Sequence, residues 1–320
     1  MTKPLVATLA LLLVEDGILA LDAPVDRWLP ELADRRVVRR LDSPPDDAVP
    51  ADRPITVDDV LSMRMGFGFV FDGDCPTLGL AAAAGLGIGP PEPANPVKPD
   101  EWIARFAELP LLHQPGADWM YDLAYGVLGV LIRRAAGRPL DDLLRERVLE
   151  PLGMHDTGFV ARDRLVPCYT LDDHGDRVLL DGVDDSRWAH RPAFPDPRGG
   201  MVSTAADYLR FARMLLGGGP PLLRPASIDV MTSNRLGPEL GTSASARVFL
   251  SGGGWGYGVE VVTPAHGARI TRYGWGGGLG TTWYSFPDRD LAVVLLTQRL
   301  PPAEALIDSF WRTIHEMIGA

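Results

Sequence analysis

Past about residue 250 the apolar residues change period. Trp255, Tyr257, Val259 and Val261 alternate with other residues, and the runs 281–286 and 291–297 flank Pro287-Asp288-Arg289-Asp290, a hairpin turn. Period two describes extended strands with one buried face, whereas the periodic segments ahead of this point keep helical spacing. Helices in the middle and antiparallel strands crowded at the C-terminal end define an α+β fold rather than alternating parallel units. A sheet built from these strands alone would keep an uncovered edge, and open edges invite misassociation.

The helical part opens with residues 4–14, an apolar run interrupted only by Thr8, running from Lys3 into Glu15 and Asp16. No small-residue cleavage site follows and the run is too short to span a bilayer, so it is a buried helix stopping at Gly17. Thr56 and Asp59 have capping-box spacing ahead of Val60, Leu61 and Met65, with Gly66 ending that helix. Thr204 and Asp207 repeat the box ahead of Tyr208, Phe211, Ala212 and Leu215. Further helices are predicted over 100–106, 122–136 and 140–149, the second with Leu128, Leu131 and Ile132 on one face and Gly137 as its stop. A last amphipathic helix carries Leu306, Phe310, Trp311, Ile314 and Met317. The Gly-, Pro- and Ala-rich stretch 66–99 predicts a long lid or binding loop, and the polar, Asp-rich 162–198 predicts excursion loops. One domain is expected over 1–320, with about 25–250 mostly helix and loop and about 251–320 holding the sheet strands and the C-terminal helix.

The 320 residues are 46% hydrophobic and 23% charged, which suits a globular chain with a sizeable core. With 42 Asp and Glu against 31 Lys and Arg the net charge is -11, so there is no basic footprint for a phosphate backbone or anionic lipid. Neither nucleic acid nor membrane is expected as a partner. Cys75 and Cys168 lack zinc spacing and form at most one bridge. Asp172, Asp173, His174 and Asp176 resemble a metal cluster but read as a solvated polar loop, and His113, His155 and His266 have no matching Ser and Asp signature. The glycine clusters are followed by no Lys and make no phosphate loop.

Of the basic residues only Lys3 and Lys98 are lysine. Arginine keeps its proton, whereas a desolvated lysine can act as a base, so Lys3 is a candidate for chemistry; the other reading is a solvated lysine near a chain start. Met1-Thr2-Lys3-Pro4-Leu5-Val6-Ala7, continuing to Leu13-Val14-Glu15-Asp16-Gly17 and Leu21-Asp22-Ala23-Pro24-Val25, resembles the second half of the Ser-x-x-Lys segment of serine β-lactamase-like hydrolases. These are the class C β-lactamases, the related esterases and the D-alanyl-D-alanine peptidases. Further matches follow in order. They are Pro115-Gly116 to Tyr121 with Leu128-Gly129, Glu150-Pro151-Leu152-Gly153-Met154 with Asp156-Thr157-Gly158-Phe159, Gly199-Gly200-Met201-Val202-Ser203-Thr204, and Gly274-Trp275-Gly276-Gly277 before the last strands.

The resemblance implies a β-lactamase-like fold and acyl transfer without metal or organic cofactor. A serine three residues before a lysine shares its helical face, so the amine can take the hydroxyl proton. That position lies ahead of Met1. The expectation is therefore a longer native protein that supplies the serine with the opening helix and strands; the rival is a naturally truncated, inactive product. Tyr121 stands where the family has Tyr-x-Asn, and its phenol beside a lysine could shuttle protons to the leaving group. The third position is Leu123 rather than asparagine. Trp275-Gly276-Gly277 matches the third motif, where β-lactamases and peptidases generally place Lys or His for a substrate carboxylate. Trp275 cannot supply that charge, which favours neutral esters. By the family pattern the Gly278 amide joins the oxyanion hole, so Trp275, Gly276, Gly277 and Gly278 are expected to line the substrate.

The expected function is thus a carboxylic ester hydrolase acting on a small-molecule ester or amide. The alternatives are a catalytically inactive binding protein and a β-lactamase or D-aminoacyl peptidase. The residues assign no oligomeric state. For compartment the default is the cytoplasm, since any export signal would lie upstream of Met1.

Overall fold

The computed structural model describes residues 1–71, 73–87, 89–161, 164–237, 240, 243–250, 253–263 and 271–319. The chain opens on α1 (Thr2–Glu15). It continues through a small antiparallel pair, β1 (Arg36–Val38) and β2 (Ala48–Pro50). Next come α2 (Val57–Leu61), α3 (Pro76–Ala83), α4 (Pro99–Ala107), α5 (Ala124–Ala136) and α6 (Leu140–Leu144), the last running on into a wider helical turn at Arg145–Leu149. A hairpin of β3 (Cys168–Leu171) and β4 (Arg177–Asp181) leads to α7 (Ala205–Leu215), α8 (Pro225–Thr232) and α9 (Ala244–Phe249). Strands β5 (Gly254–Trp255), β6 (Glu260–Val262), β7 (Arg272–Gly276), β8 (Thr282–Phe286) and β9 (Leu291–Leu295) pair antiparallel in sequence order. Then β10 (Arg299–Leu300) leaves that sheet to lie parallel to β3, and α10 (Glu304–Ile318) closes the chain.

A helix that is apolar all round has no face to give to water and goes to the interior. Accordingly α1 is buried from Thr2 to Leu13 and packs against α5, α6 and α8. Pleating sends alternate β8 residues to opposite faces. Trp283 joins the large core shared with α1 and α7, where its ring meets Tyr208 and Phe211 edge-on. Tyr284 and Phe286 face Trp311 of α10 in a separate smaller cluster. The outer strand β9 has all five residues half-exposed and pairs only with β8 among the described residues.

The Thr56–Asp59 capping box forms in full. The Thr204 hydroxyl accepts from the Asp207 N–H, but the Asp207 carboxylate turns away to the Asp156 N–H and the Thr157 hydroxyl, so the second box is only half made. Gly17 and Gly137 adopt positive φ just past their helices, as their positions predict.

Several expectations change. The stretch 66–99 contains α3, started by Pro76 at its first turn and continued by alanines. The stretch 162–198 contains the β3–β4 hairpin rather than loops alone; β4 exposes Arg177, Val178 and Leu179 in succession, so its sequence shows no alternation. Val259 and Tyr257 are buried but lie in the turn between β5 and β6, closed by the Gly256 N–H on the Val259 carbonyl. On α10, Phe310 and Ile314 pack with Trp311 as expected, but Leu306 and Met317 face solvent and Ile307 and Ile318 take their places. Both cysteines are free thiols. The Asp172 carboxylate accepts from the His174 and Asp176 N–H groups, the bonding of a turn. His266 lies outside the described residues.

Candidate active site

Lys3 sits in the first turn of α1, with its side chain 3% exposed. Its Nζ donates to the Tyr121 hydroxyl oxygen at 2.7 Å, to the Arg198 carbonyl at 2.6 Å and to Asp122 Oδ2 at 3.3 Å. Tyr121 and Asp122 come from the segment entering α5, and Arg198 from the loop ahead of Gly199-Gly200. Three parts of the chain far apart in sequence therefore meet at one ammonium.

A fourth part arrives from the sheet. Trp275 of β7 donates its Nε1–H to the same Tyr121 oxygen at 3.2 Å. An indole N–H can only donate. Lys3 and Trp275 therefore both donate into the Tyr121 oxygen, an arrangement that favours negative charge on it. The Tyr121 ring is held by Phe249 at 4.3 Å between centroids, Trp275 at 5.4 Å and a stacked Phe69 at 6.1 Å. These contacts leave the phenol half-exposed at the end of an aromatic wall.

Burial alone would push the Lys3 ammonium toward losing its proton, which is the premise of a desolvated base. The charges and hydrogen bonds of Tyr121 and Asp122 outweigh it, and the net direction is upward. Lys3 is thus an ammonium at neutral pH, contrary to the simple desolvation argument. Behind it, Arg198 grips Asp196 through Nε at 2.9 Å and Nη2 at 2.7 Å. Burial favours the protonated Asp196 carboxyl, but Arg198 overrides it and holds the group below the usual carboxylate range.

Gly276 and Gly277 stand half-exposed where β7 ends, with Gly278 exposed beyond them. The Gly277 N–H bonds the Thr281 carbonyl at 2.7 Å, closing the turn to β8, whereas the Gly278 N–H has no partner among the described residues. A Cβ on Gly274 would come within 2.0 Å of the Trp283 carbonyl oxygen, so the close approach of β8 requires glycine there. Beside this turn lies a pocket of about 70 Å³ whose wall combines Leu180, Trp188, Leu279, Leu300 and Cys168 with Pro90 and Pro91 and the charged Glu92 and Arg187.

The structure brings Lys3, Tyr121 and Trp275 into direct contact. Asp122 and Arg198 join them without having been singled out in the sequence. A carboxylate inside the apolar run from Trp119 to Ala124 was the available signal for Asp122; one arginine among so many gave none for Arg198.

A family model described as Beta-lactamase matches residues 1–314. The chain belongs to the β-lactamase family. It is 37% identical to Protein Rv1367c of Mycobacterium tuberculosis (strain ATCC 25618 / H37Rv) over 317 residues, which are 94% of this chain and 76% of that protein. Esterase EstB of Burkholderia gladioli is 32% identical over 326 residues, covering 92% of this chain and 75% of its own length. Among solved structures, EstCE1, described as a hydrolase with promiscuous acyltransferase activity, superimposes with a TM-score of 0.77 at 26% identity, covering 93% of this chain and 78% of that one. The α+β architecture of this β-lactamase-family chain agrees with that match. No described helix is long and apolar enough to cross a membrane.

Proposed function

We propose that this β-lactamase-family chain carries the proton-handling and oxyanion groups of a carboxylic ester hydrolase. The nucleophile they serve is a serine three residues ahead of Lys3, a position that precedes Met1. The observation that carries the reading is the convergence of Lys3 Nζ and Trp275 Nε1 on the Tyr121 oxygen. Two donors aimed at one phenol oxygen stabilise it when it is ionised. It can then take the serine proton as the serine oxygen bonds the ester carbonyl carbon, and return that proton to the departing alkoxide. Water repeats the cycle to release the acid. In this reading the Gly278 N–H, which has no partner among the described residues, donates to the carbonyl oxygen as it becomes an oxyanion.

Three features favour a neutral ester over a lactam or peptide. Trp275 occupies the place where lactam- and peptide-acting relatives have a cation, Leu123 replaces the asparagine, and EstB and EstCE1 are named as an esterase and a hydrolase. The pocket beside the Gly278 turn is apolar over most of its wall, with Glu92 and Arg187 also on it, and at about 70 Å³ it holds roughly four or five water-sized groups, the size of a short acyl chain.

The test is a chain extended at its N-terminus by a helical segment carrying that serine. Such a chain is expected to hydrolyse p-nitrophenyl butyrate and to leave a chromogenic cephalosporin intact. Lys3→Ala and Tyr121→Phe should each lower kcat by about 10² or more. Undiminished turnover in either variant, or none in the extended chain, would refute the reading.

A further inference from the structure

The residue between the tyrosine and the third position of Tyr-x-Asn has no role in the resemblance, yet here it is Asp122, 5% exposed and paired with Lys3. Around Lys3 Nζ stand three acceptors, one for each N–H of an ammonium. A neutral amine would have two N–H groups and a lone pair, and would have to receive the Tyr121 proton instead. Which arrangement prevails depends on the charges facing Nζ. The Arg198 guanidinium is compensated by Asp196, which sits against it. Tyr121 presents the shared oxygen, and Trp275 also donates to that oxygen. Among the described residues Asp122 is the carboxyl group in direct contact with Nζ, one oxygen on Lys3 and the other, Oδ1, without a hydrogen-bond partner. A buried carboxylate with half its bonding capacity unused depends on its cation, and the cation depends on it.

We infer that Asp122 is a positioning residue that keeps Lys3 an ammonium, so that Tyr121, not Lys3, receives the nucleophile's proton. This rests on the reading of the site given above. Before acylation the Tyr121 phenol gives its proton to solvent; the serine O–H bond then breaks, its proton passes to the Tyr121 oxygen, and the serine oxygen bonds the carbonyl carbon. In the collapse the Tyr121 proton passes to the leaving alkoxide. Lys3 keeps all three of its protons throughout and works as a fixed positive charge. The upward direction of its titration agrees with the geometry.

The chain offers a direct readout, because Lys3 and Lys98 are its only lysines and lysine labelled with ¹³C at Cε gives two resonances. Lys98 is exposed and serves as the internal reference. In the unaltered chain Lys3 is expected to hold the ammonium shift at a pH where a free lysine side chain is half titrated, about 10.4. Asp122→Asn should bring the Lys3 midpoint below that of Lys98, a drop of about one pH unit or more, and Asp122→Glu should restore most of it. A Lys3 that titrates with or before Lys98 in the unaltered chain overturns the inference, and that measurement needs no variant to fold. So does a folded Asp122→Asn variant with an unmoved Lys3. The serine-extended chain separates the two readings. If Lys3→Ala and Tyr121→Phe abolish turnover while Asp122→Asn keeps both rate and pH profile, the ester hydrolase stands and the role of Asp122 falls. If Lys3 titrates as expected but no ester is turned over, the converse holds.

Discussion

Trp275 replaces a cation by a hydrogen bond. Its indole is packed edge-on against Trp255 at 4.7 Å, which fixes the ring so that Nε1 meets the Tyr121 oxygen. Trp275→Phe keeps most of the packing and removes the donor. A lost hydrogen bond to an ionised oxygen is worth about 1.5–3 kcal/mol, so kcat in a serine-bearing chain should fall roughly 10- to 100-fold with KM little changed. Steady-state kinetics on a matched ester check this; a change confined to KM would make Trp275 a substrate contact only. The sequence revealed Lys3 because lysine is scarce here, and it revealed Tyr121 and Trp275 through ordered motif fragments. It hid Asp122 and Arg198, since an aspartate or arginine that ends up buried is written the same way as one on the surface. Only the fold, which lays Arg198 across the first turn of α1, distinguishes them.

At the level of elements, capped helices and the β8–β9 hairpin could be read directly, because their signals are local: Thr56 bonding Asp59, Gly137 at positive φ, and Asp290 at positive φ closing the turn after Pro287. The β3–β4 hairpin could not. Its third strand, β10, comes from more than a hundred residues later, and that partner decides the pairing. The consequence is functional, because the hairpin brings Cys168 and Leu180 to the pocket beside Leu279 and Leu300. Leu279→Trp should fill that pocket. Among p-nitrophenyl esters of a serine-bearing chain, acetate turnover should persist while butyrate and hexanoate lose tenfold or more, about 1.4 kcal/mol or above. A uniform loss across the series would mean that the pocket does not receive the acyl chain.

Across the whole molecule, several carboxyl groups are tied to arginines inside the fold, and together they set its acid limit. Asp59 accepts from the Thr56 N–H at 2.9 Å and from Arg53 at 2.5 and 2.9 Å. Burial would raise its titration point, but these donors prevail and lower it below the ordinary 3.8. Asp196 beside Arg198 and Asp181 beside Ser186 and Arg187 move in the same direction against the same burial. A carboxyl lowered on folding releases its proton more readily in the folded chain. Its contribution is therefore whole above the unfolded value, about 3.9, and is lost as the pH falls through the folded value. Urea unfolding should show a plateau of stability near neutrality and a steep decline below about pH 4. Asp59→Asn should lower the plateau by about 1–2 kcal/mol, the cost of a lost cap. Half of the Arg53 side chain is in water, so its ion pair adds little to that figure. The same variant should flatten the acid limb, because one of the groups that must take up a proton is gone. Equal slopes in the two chains would show that Asp59 does not titrate with unfolding, and the acid limit would then rest on Asp181 and Asp196.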